Sequence, residues 1–207
     1  MSDALARKLH AGCVAMDLDL PADAEARLLA YLGLLVKWNA AYNLTAIRDP
    51  EQMVVKHLLD SLSVLPHVDG DSLIDVGTGA GLPGLVLAIV KPDLAVTLLD
   101  SNGKKVRFLR QAIAELGVTN AEAVQARVEE FGRGFDRVSS RAFATLADMV
   151  AGSRQLLAPG GEFLAMKGQR PDAEIAALPA DVVLRGVIPL SVPGLDEERH
   201  LVRLALA

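Results

Sequence analysis

The chain has a single cysteine, Cys13, in 207 residues. No intrachain disulfide can form, a cysteine-based metal site would have one thiolate at most, and nothing asks for an oxidising compartment. Long apolar runs are missing as well. The most apolar uninterrupted stretch, Leu82 to Val90, is far short of the roughly 20 residues that a membrane-spanning helix needs. The start, Met1-Ser2-Asp3-Ala4-Leu5-Ala6-Arg7-Lys8, lacks the apolar centre of a secretory signal. Positive charge is in deficit, because 21 Lys and Arg against 26 Asp and Glu leave a formal net charge of −5. An acidic total does not advertise nucleic-acid binding, although it describes solubility and non-specific attraction rather than the local field. Hydrophobic residues make up 51% and charged ones 23%, which excludes the apolar-poor, charge-rich composition of a disordered chain. The expectation is a cytoplasmic protein with no membrane partner and no metal.

What is present is a change of period along the chain. From Ala22 to Tyr42 the large apolar residues Leu28, Tyr31, Leu32, Leu35, Trp38 and Tyr42 recur every three or four positions, one face of a helix. Asp49-Pro50 starts a second helix with Val54, Leu58, Leu62 and Leu65 as its apolar face. The link Asn43 to Arg48 is too irregular for either helix. After Asp69-Gly70-Asp71 the period shortens. Ser72–Val76, Ala95–Asp100, Ala121–Val124, Asp136–Arg141 and Glu162–Lys167 read as strands. Between them lie helices at Leu85–Val90, after the cap Asn102 up to Gly117, and at Leu146–Leu157, the last stopped by Pro159-Gly160-Gly161. Two strand-like runs, Val182–Ile188 and His200–Leu206, close the chain as a hairpin. Strands alternating with helices predict an α/β fold with a mostly parallel sheet. Residues 1–66 would be a helical extension packed on a core unit of residues 67–207.

A strand, a glycine-rich turn and a helix make a ligand site, because glycine lets the backbone approach a ligand and sheet ligands sit beyond the strand carboxyl ends. Gly79-Ala80-Gly81-Leu82-Pro83-Gly84 fits the dinucleotide pattern G-x-G-x-x-G. Asp75 followed by Gly77-Thr78-Gly79-Ala80-Gly81 fits equally the G-x-G-x-G loop for nucleosides with an amino-acid tail. Either ligand would use Asp100, at the end of the second strand, to accept from ribose hydroxyls. The loop alone leaves a nicotinamide-dependent oxidoreductase and a methyltransferase both open. A non-enzymatic, nucleotide-sensing module associated with ribosomes is a third reading.

After five strands the chain has no room for the second catalytic domain of most dehydrogenases, and its order resembles class I (Rossmann-like) methyltransferases dependent on S-adenosylmethionine. Ile74 to Gly84, Leu98-Leu99-Asp100-Ser101, Lys104 to Leu109 and Arg127-Val128-Glu129-Glu130 resemble the RsmG family, once called glucose-inhibited division protein B. Ser140 to Ala144, Met166-Lys167-Gly168 and Asn43 to Ile47 complete that resemblance, in family order, over residues 38 to 168. The resemblance implies methylation of guanine N7 in the 530 loop of 16S ribosomal RNA, free or within a small-subunit particle. It places Gly77, Gly79 and Leu82 against the amino-acid part of S-adenosylmethionine, Asp100 at the ribose, Val128 and Glu129 at the adenine, and Arg141 in the same cofactor site. Guanine N7 is a lone-pair nucleophile without a proton, so alignment matters more than a general base. Lys167, at the end of the fifth strand, is the candidate for positioning the substrate through O6 or phosphate, leaving N7 free. Arg199 and His200 are further candidates for substrate contact. His57 is expected to make a structural hydrogen bond.

Overall fold

Two periods meet in one sheet. The computed structural model describes residues 3–207, and within them the strands are β1 Ser72–Val76, β2 Ala95–Asp100, β3 Ala121–Gln125, β4 Phe135–Ser140, β5 Leu157–Lys167, β6 Val182–Pro189 and β7 His200–Leu206. Across the sheet they run β3-β2-β1-β4-β5-β7-β6. β1 to β5 are parallel, and β7 enters antiparallel between β5 and β6. This is the mostly parallel sheet with an antiparallel C-terminal pair that the alternation of elements predicts. The interior strand β1 carries apolar side chains on both faces, as a sheet covered on both sides requires. Leu73 packs into one core with Leu85 and Leu98. Ile74 and Val76 point the other way, into a core with Leu146 and Phe163.

The helices are α1 Asp3–Ala15, α2 Ala24–Tyr42, α3 Pro50–Met53, α4 Asp60–Leu62, α5 Gly84–Val90, α6 Gly103–Leu116, α7 Leu146–Ser153 and α8 Asp172–Ala176. On α2 the expected face is real, with Leu28, Tyr31, Leu32 and Leu35 all buried. Asn102 caps α6 by accepting from the Lys104 N–H at 3.0 Å, and Gly117 ends that helix in the left-handed region at φ 61°. Asp49 caps α3 as expected, accepting from the Glu51 N–H.

Three departures have local causes. α3 and α4 are joined by a π-helical segment, Val54–Leu59. The wider turn buries Val54, Val55, Leu58, Leu59 and Leu62 together, a broader face than a plain α-helix with Leu65 would give. α1 lies within the expected helical extension, ahead of its first delimited helix. Its Leu5, Leu9, Gly12 and Cys13 are buried, and a Cβ on Gly12 would sit 2.4 Å from Leu59. Finally, Pro159-Gly160-Gly161 does not stop a helix. α7 ends at Ser153, and the three residues lie inside β5, where the register to β4 shifts between Phe135 and Arg137. A Cβ on Gly161 would be 2.9 Å from the Asp136 carbonyl oxygen, so the close strand approach there needs glycine. Met1 and Ser2, the start of the expected helical extension, lie outside the described residues. From α2, the buried Tyr31 hydroxyl donates to the Ala80 carbonyl at 2.8 Å and ties the helical segment to the glycine loop.

Candidate functional site

The loop after β1 holds its shape through contacts that face inward. Gly77, Gly79 and Gly81 have φ of 65°, 61° and 96°, conformations that side chains rarely adopt. Gly77 N–H and Thr78 N–H both donate to the Leu99 carbonyl, at 2.8 and 3.1 Å. Asp75, fully buried, is the internal brace. One carboxylate oxygen accepts from Thr78 Oγ1 at 2.7 Å and Gly84 N–H at 2.9 Å, and the other from Ser139 Oγ at 3.1 Å. Burial pushes its pKa up against the pull of those hydrogen bonds. A Cβ on Gly84 would fall 2.8 Å from that of Asp75, so the start of α5 can approach β1 only with glycine there.

Beyond the carboxyl ends of β1, β2 and β4 lies a cavity in three lobes. The first, about 300 Å³, is lined by Gly77, Asp100, Ser101, Val128, Glu129 and Phe143 among others. The second, about 210 Å³, is walled by Thr45, His57, Gly77, Gly79, Leu82 and Arg141. The third, about 360 Å³, is bordered by Lys56, His57, Asp60, Arg141, Lys167 and Arg199. Gly77 and Ala142 belong to the first and second lobes, and His57 and Arg141 to the second and third. The lobes therefore form one trough.

Every residue expected at the cofactor lines this trough. Asp100 is 7% exposed, with one oxygen accepting from Gly79 N–H and the other from Asn102 N–H, both at 2.9 Å. Lys105 stands 3.8 Å away. Val128 and Glu129 come from a short 3-10 turn after β3. Arg141, just past β4, lies at the junction of the second and third lobes and donates to Asp60 at 3.1 Å.

The expected substrate residues divide. Lys167 lines the third lobe, but its ammonium pairs with Glu174 of α8 at 2.8 Å and donates to the Ala144 carbonyl at 3.1 Å. Arg199 also lines it, donating to Asp60 at 3.0 Å. His200 opens β7 opposite Lys167 and donates through Nδ1 to the Gly168 carbonyl at 2.8 Å. It is not among the third-lobe residues, and its ring is taken up by the Gly168 carbonyl.

Asp60, not among the expected site residues, is 3% exposed between the two guanidinium groups. Its signal was an aspartate inside the apolar run Leu58-Leu59-Asp60-Ser61-Leu62. Thr45 is a further wall residue that was not expected. His57 Nε2 meets Thr45 Oγ1 at 2.9 Å, and Nδ1 faces the Lys56 carbonyl at 3.1 Å. Burial, with Arg141 nearby, pushes the His57 pKa down to about 4, so the ring is neutral at pH 7. Nδ1 then carries the proton and Nε2 accepts from the threonine hydroxyl. Among the described residues no group of His, Cys, Asp or Glu could hold a metal ion, and no helix is long and apolar enough to cross a membrane.

Residues 24–202 match the GidB family model, described as rRNA small subunit methyltransferase G. The ribosomal RNA small subunit methyltransferase G of Chromohalobacter salexigens is 58% identical over 208 residues, covering 100% of both chains. That of Yersinia pestis is 55% identical over 201 residues, 96% of this chain and 98% of the other. A solved SAM-dependent methyltransferase from Aquifex aeolicus shares the fold with a TM-score of 0.57 at 18% identity, over 77% of this chain and 94% of that one.

Proposed function

This chain belongs to the rRNA small subunit methyltransferase G family and is a methyltransferase of ribosomal RNA, and from that premise we propose that its trough carries a methyl group to N7 of a guanine in the 530 loop of 16S ribosomal RNA. S-adenosylmethionine is the proposed donor, and the cytoplasm, where ribosomal subunits are built, is the proposed place. The observation that carries the proposal is the continuity of the three lobes. A nucleoside with an amino-acid tail would occupy the first and second, and the third would take the base.

The residues fit that ligand. Each Asp100 oxygen already accepts one backbone N–H and keeps lone-pair capacity toward the lobe for ribose hydroxyls. Arg141 has given one N–H to Asp60 and has others for the carboxylate of the amino-acid tail. Val128, Glu129 and Phe143 offer the first lobe walls for a flat base. A dinucleotide fits poorly. The N–H groups of Gly77, Thr78, Gly79, Gly81, Leu82 and Gly84 are engaged with Leu99, Asp100, Thr78 or Asp75, so those groups are not available to cradle a pyrophosphate.

When bound, S-adenosylmethionine supplies a methyl group already activated by its sulfonium charge. Guanine N7 has no proton to lose, so the chain must align rather than deprotonate. Neutral His57, held on both nitrogens, is a fixed wall at the junction of the lobes and not a base. Lys167 holds the segment after β4 through Ala144 and positions the third lobe from there. Calorimetry with S-adenosylhomocysteine and with NADH tests the ligand, and only the former should bind. Labelled methyl should then appear in small-subunit RNA and yield N7-methylguanine on digestion. Binding of NADH alone, or label in another product, contradicts the proposal.

A further inference from the structure

The acidic groups around the third lobe are all engaged. Asp60 accepts from Arg141 Nη1 through one oxygen and from Arg199 Nε through the other. Glu197 accepts from Lys56 at 2.8 Å and from Arg199 Nη2 at 3.2 Å. Glu174 takes Lys167 and the Leu146 N–H. The carbonyls of Ile47, Lys56 and Gly168 accept from Asn39, His57 and His200. His57 Nε2 is satisfied by Thr45. The cations, by contrast, are only partly used. Lys56 has used one of its three N–H groups, Arg141 one of five and Arg199 three of five. Among the described residues, the side chains lining this lobe present unengaged donors, while Asp60, the one carboxylate in the lining, has each oxygen held by a guanidinium group and the imidazole is paired on both nitrogens.

Guanine and adenine differ on the edge that carries N7. Guanine shows two acceptors there, N7 and O6, whereas adenine shows the N7 acceptor beside an N6 amino donor. A wall of donors matches the first edge and leaves the adenine amino group facing other N–H groups, all of them desolvated and unpaired.

We propose that the third lobe selects guanine over adenine through O6, with Arg199 as the residue that donates to O6 and Asp60 as the positioning residue that fixes the Arg199 guanidinium. This rests on the N7-guanine reading above. Arg199 suits the role better than its neighbours. Arg141 also faces the second lobe, where the amino-acid tail is placed. Lys167 is turned toward Glu174 and Ala144. Lys56 is a third exposed and paired with Glu197. Arg199 is held at three points, by Asp60, the Glu198 carbonyl and Glu197, so its planar fork is set before the base arrives. Its remaining N–H groups serve O6 and leave the N7 lone pair free.

The test compares single-turnover methylation of small-subunit particles carrying guanine or adenine at the target position, with the product identified by mass. The full-length enzyme should prefer guanine by about 10⁴-fold, as expected where a buried polar group would otherwise stay unpaired. Arg199→Lys keeps donors without an acceptor and should keep the preference at a lower rate. Arg199→Gln brings in a carbonyl that can accept from the adenine amino group, and the preference should fall by about tenfold or more. Arg199→Met, which removes the donors and keeps bulk, should also erode it. Asp60→Asn should shift the preference the same way, and add less than about twofold in the Arg199→Gln background if it acts through Arg199. S-adenosylhomocysteine affinity should be unchanged in the Arg199 variants, which also reports that they fold. An unaltered preference in both Arg199→Gln and Arg199→Met, with both substrates slowed alike, overturns the inference. A wild-type enzyme that makes no N7-methylguanine overturns the reading beneath it.

Discussion

Asp100 is the residue on which the ligand assignment turns. Its carboxylate sits nearly buried at the mouth of the first lobe, and two backbone N–H groups fix its orientation. Asp100→Ala should weaken S-adenosylhomocysteine binding by roughly 1.5–3 kcal/mol, the worth of a hydrogen bond to a charged group. Calorimetry checks this, and unchanged affinity removes Asp100 from the ribose site. At His57 the consequence concerns stability. Its pKa falls from an unfolded value near 6.5 to about 4 in the folded chain. The native state therefore binds fewer protons than the unfolded state between those values. The stability is fully present above pH 6.5 and is lost as pH falls through the window toward 4. His57→Gln cannot titrate, so the decline in stability from pH 7 to pH 4 should be shallower than in wild type by about 3 kcal/mol. Urea unfolding across that range measures the difference, and parallel curves contradict it. Asp100 was legible in the sequence because it ends a strand beside a glycine loop. Asp60 was not, because its partners Arg141 and Arg199 are 81 and 139 residues away along the chain.

At the scale of elements, the glycine loop is held by α2 from outside and by β1 from below. Tyr31→Phe deletes the buried hydroxyl that satisfies the Ala80 carbonyl. Leaving that carbonyl unpaired should cost about 1–3 kcal/mol of stability and loosen cofactor binding. Thermal unfolding with and without S-adenosylhomocysteine separates the two effects, and a variant equal to wild type in both refutes the coupling. Gly77→Ala tests the other side of the loop. Its Cβ would stand 2.6 Å from that of Ala142 at a φ of 65°. It should strain the backbone by about 1–2 kcal/mol and displace a wall shared by two lobes. Retained stability and affinity would show that the wall yields freely.

The same elements show what a sequence conveys. β1, β2 and β7 fall where their apolar patterns place them, because a buried strand leaves little freedom of register. The π-helical segment was hidden, since its extra residue per turn answers to packing against α1 rather than to any local signal. Pro159-Gly160-Gly161 misled for a related reason. Residues that punctuate a helix also permit an irregular register between two strands.

Across the whole molecule, charge is arranged in local pairs rather than as one field. The net charge is −5, yet the third lobe gathers Lys56, Arg141, Lys167 and Arg199 against committed carboxylates. That suits an enzyme that reads one base in a structured RNA more than one that coats RNA. Because N7 attacks with a lone pair, the single-turnover rate should be nearly flat from about pH 6.5 to 8.5, whereas an obligatory base would give a limb at its own pKa. Lys167→Ala should lower that rate equally at every pH and leave cofactor affinity intact, and a limb that vanishes in this variant would make Lys167 a titrating group.

The most direct measurement of the central claim is the map of N7-methylguanine along small-subunit ribosomal RNA from cells with and without this gene. One modified guanine, in the 530 loop, should be present in the first and absent from the second, and return with wild-type protein but not with Asp100→Ala. An identical map in both cells, or a lost methyl group at another atom, would contradict the account.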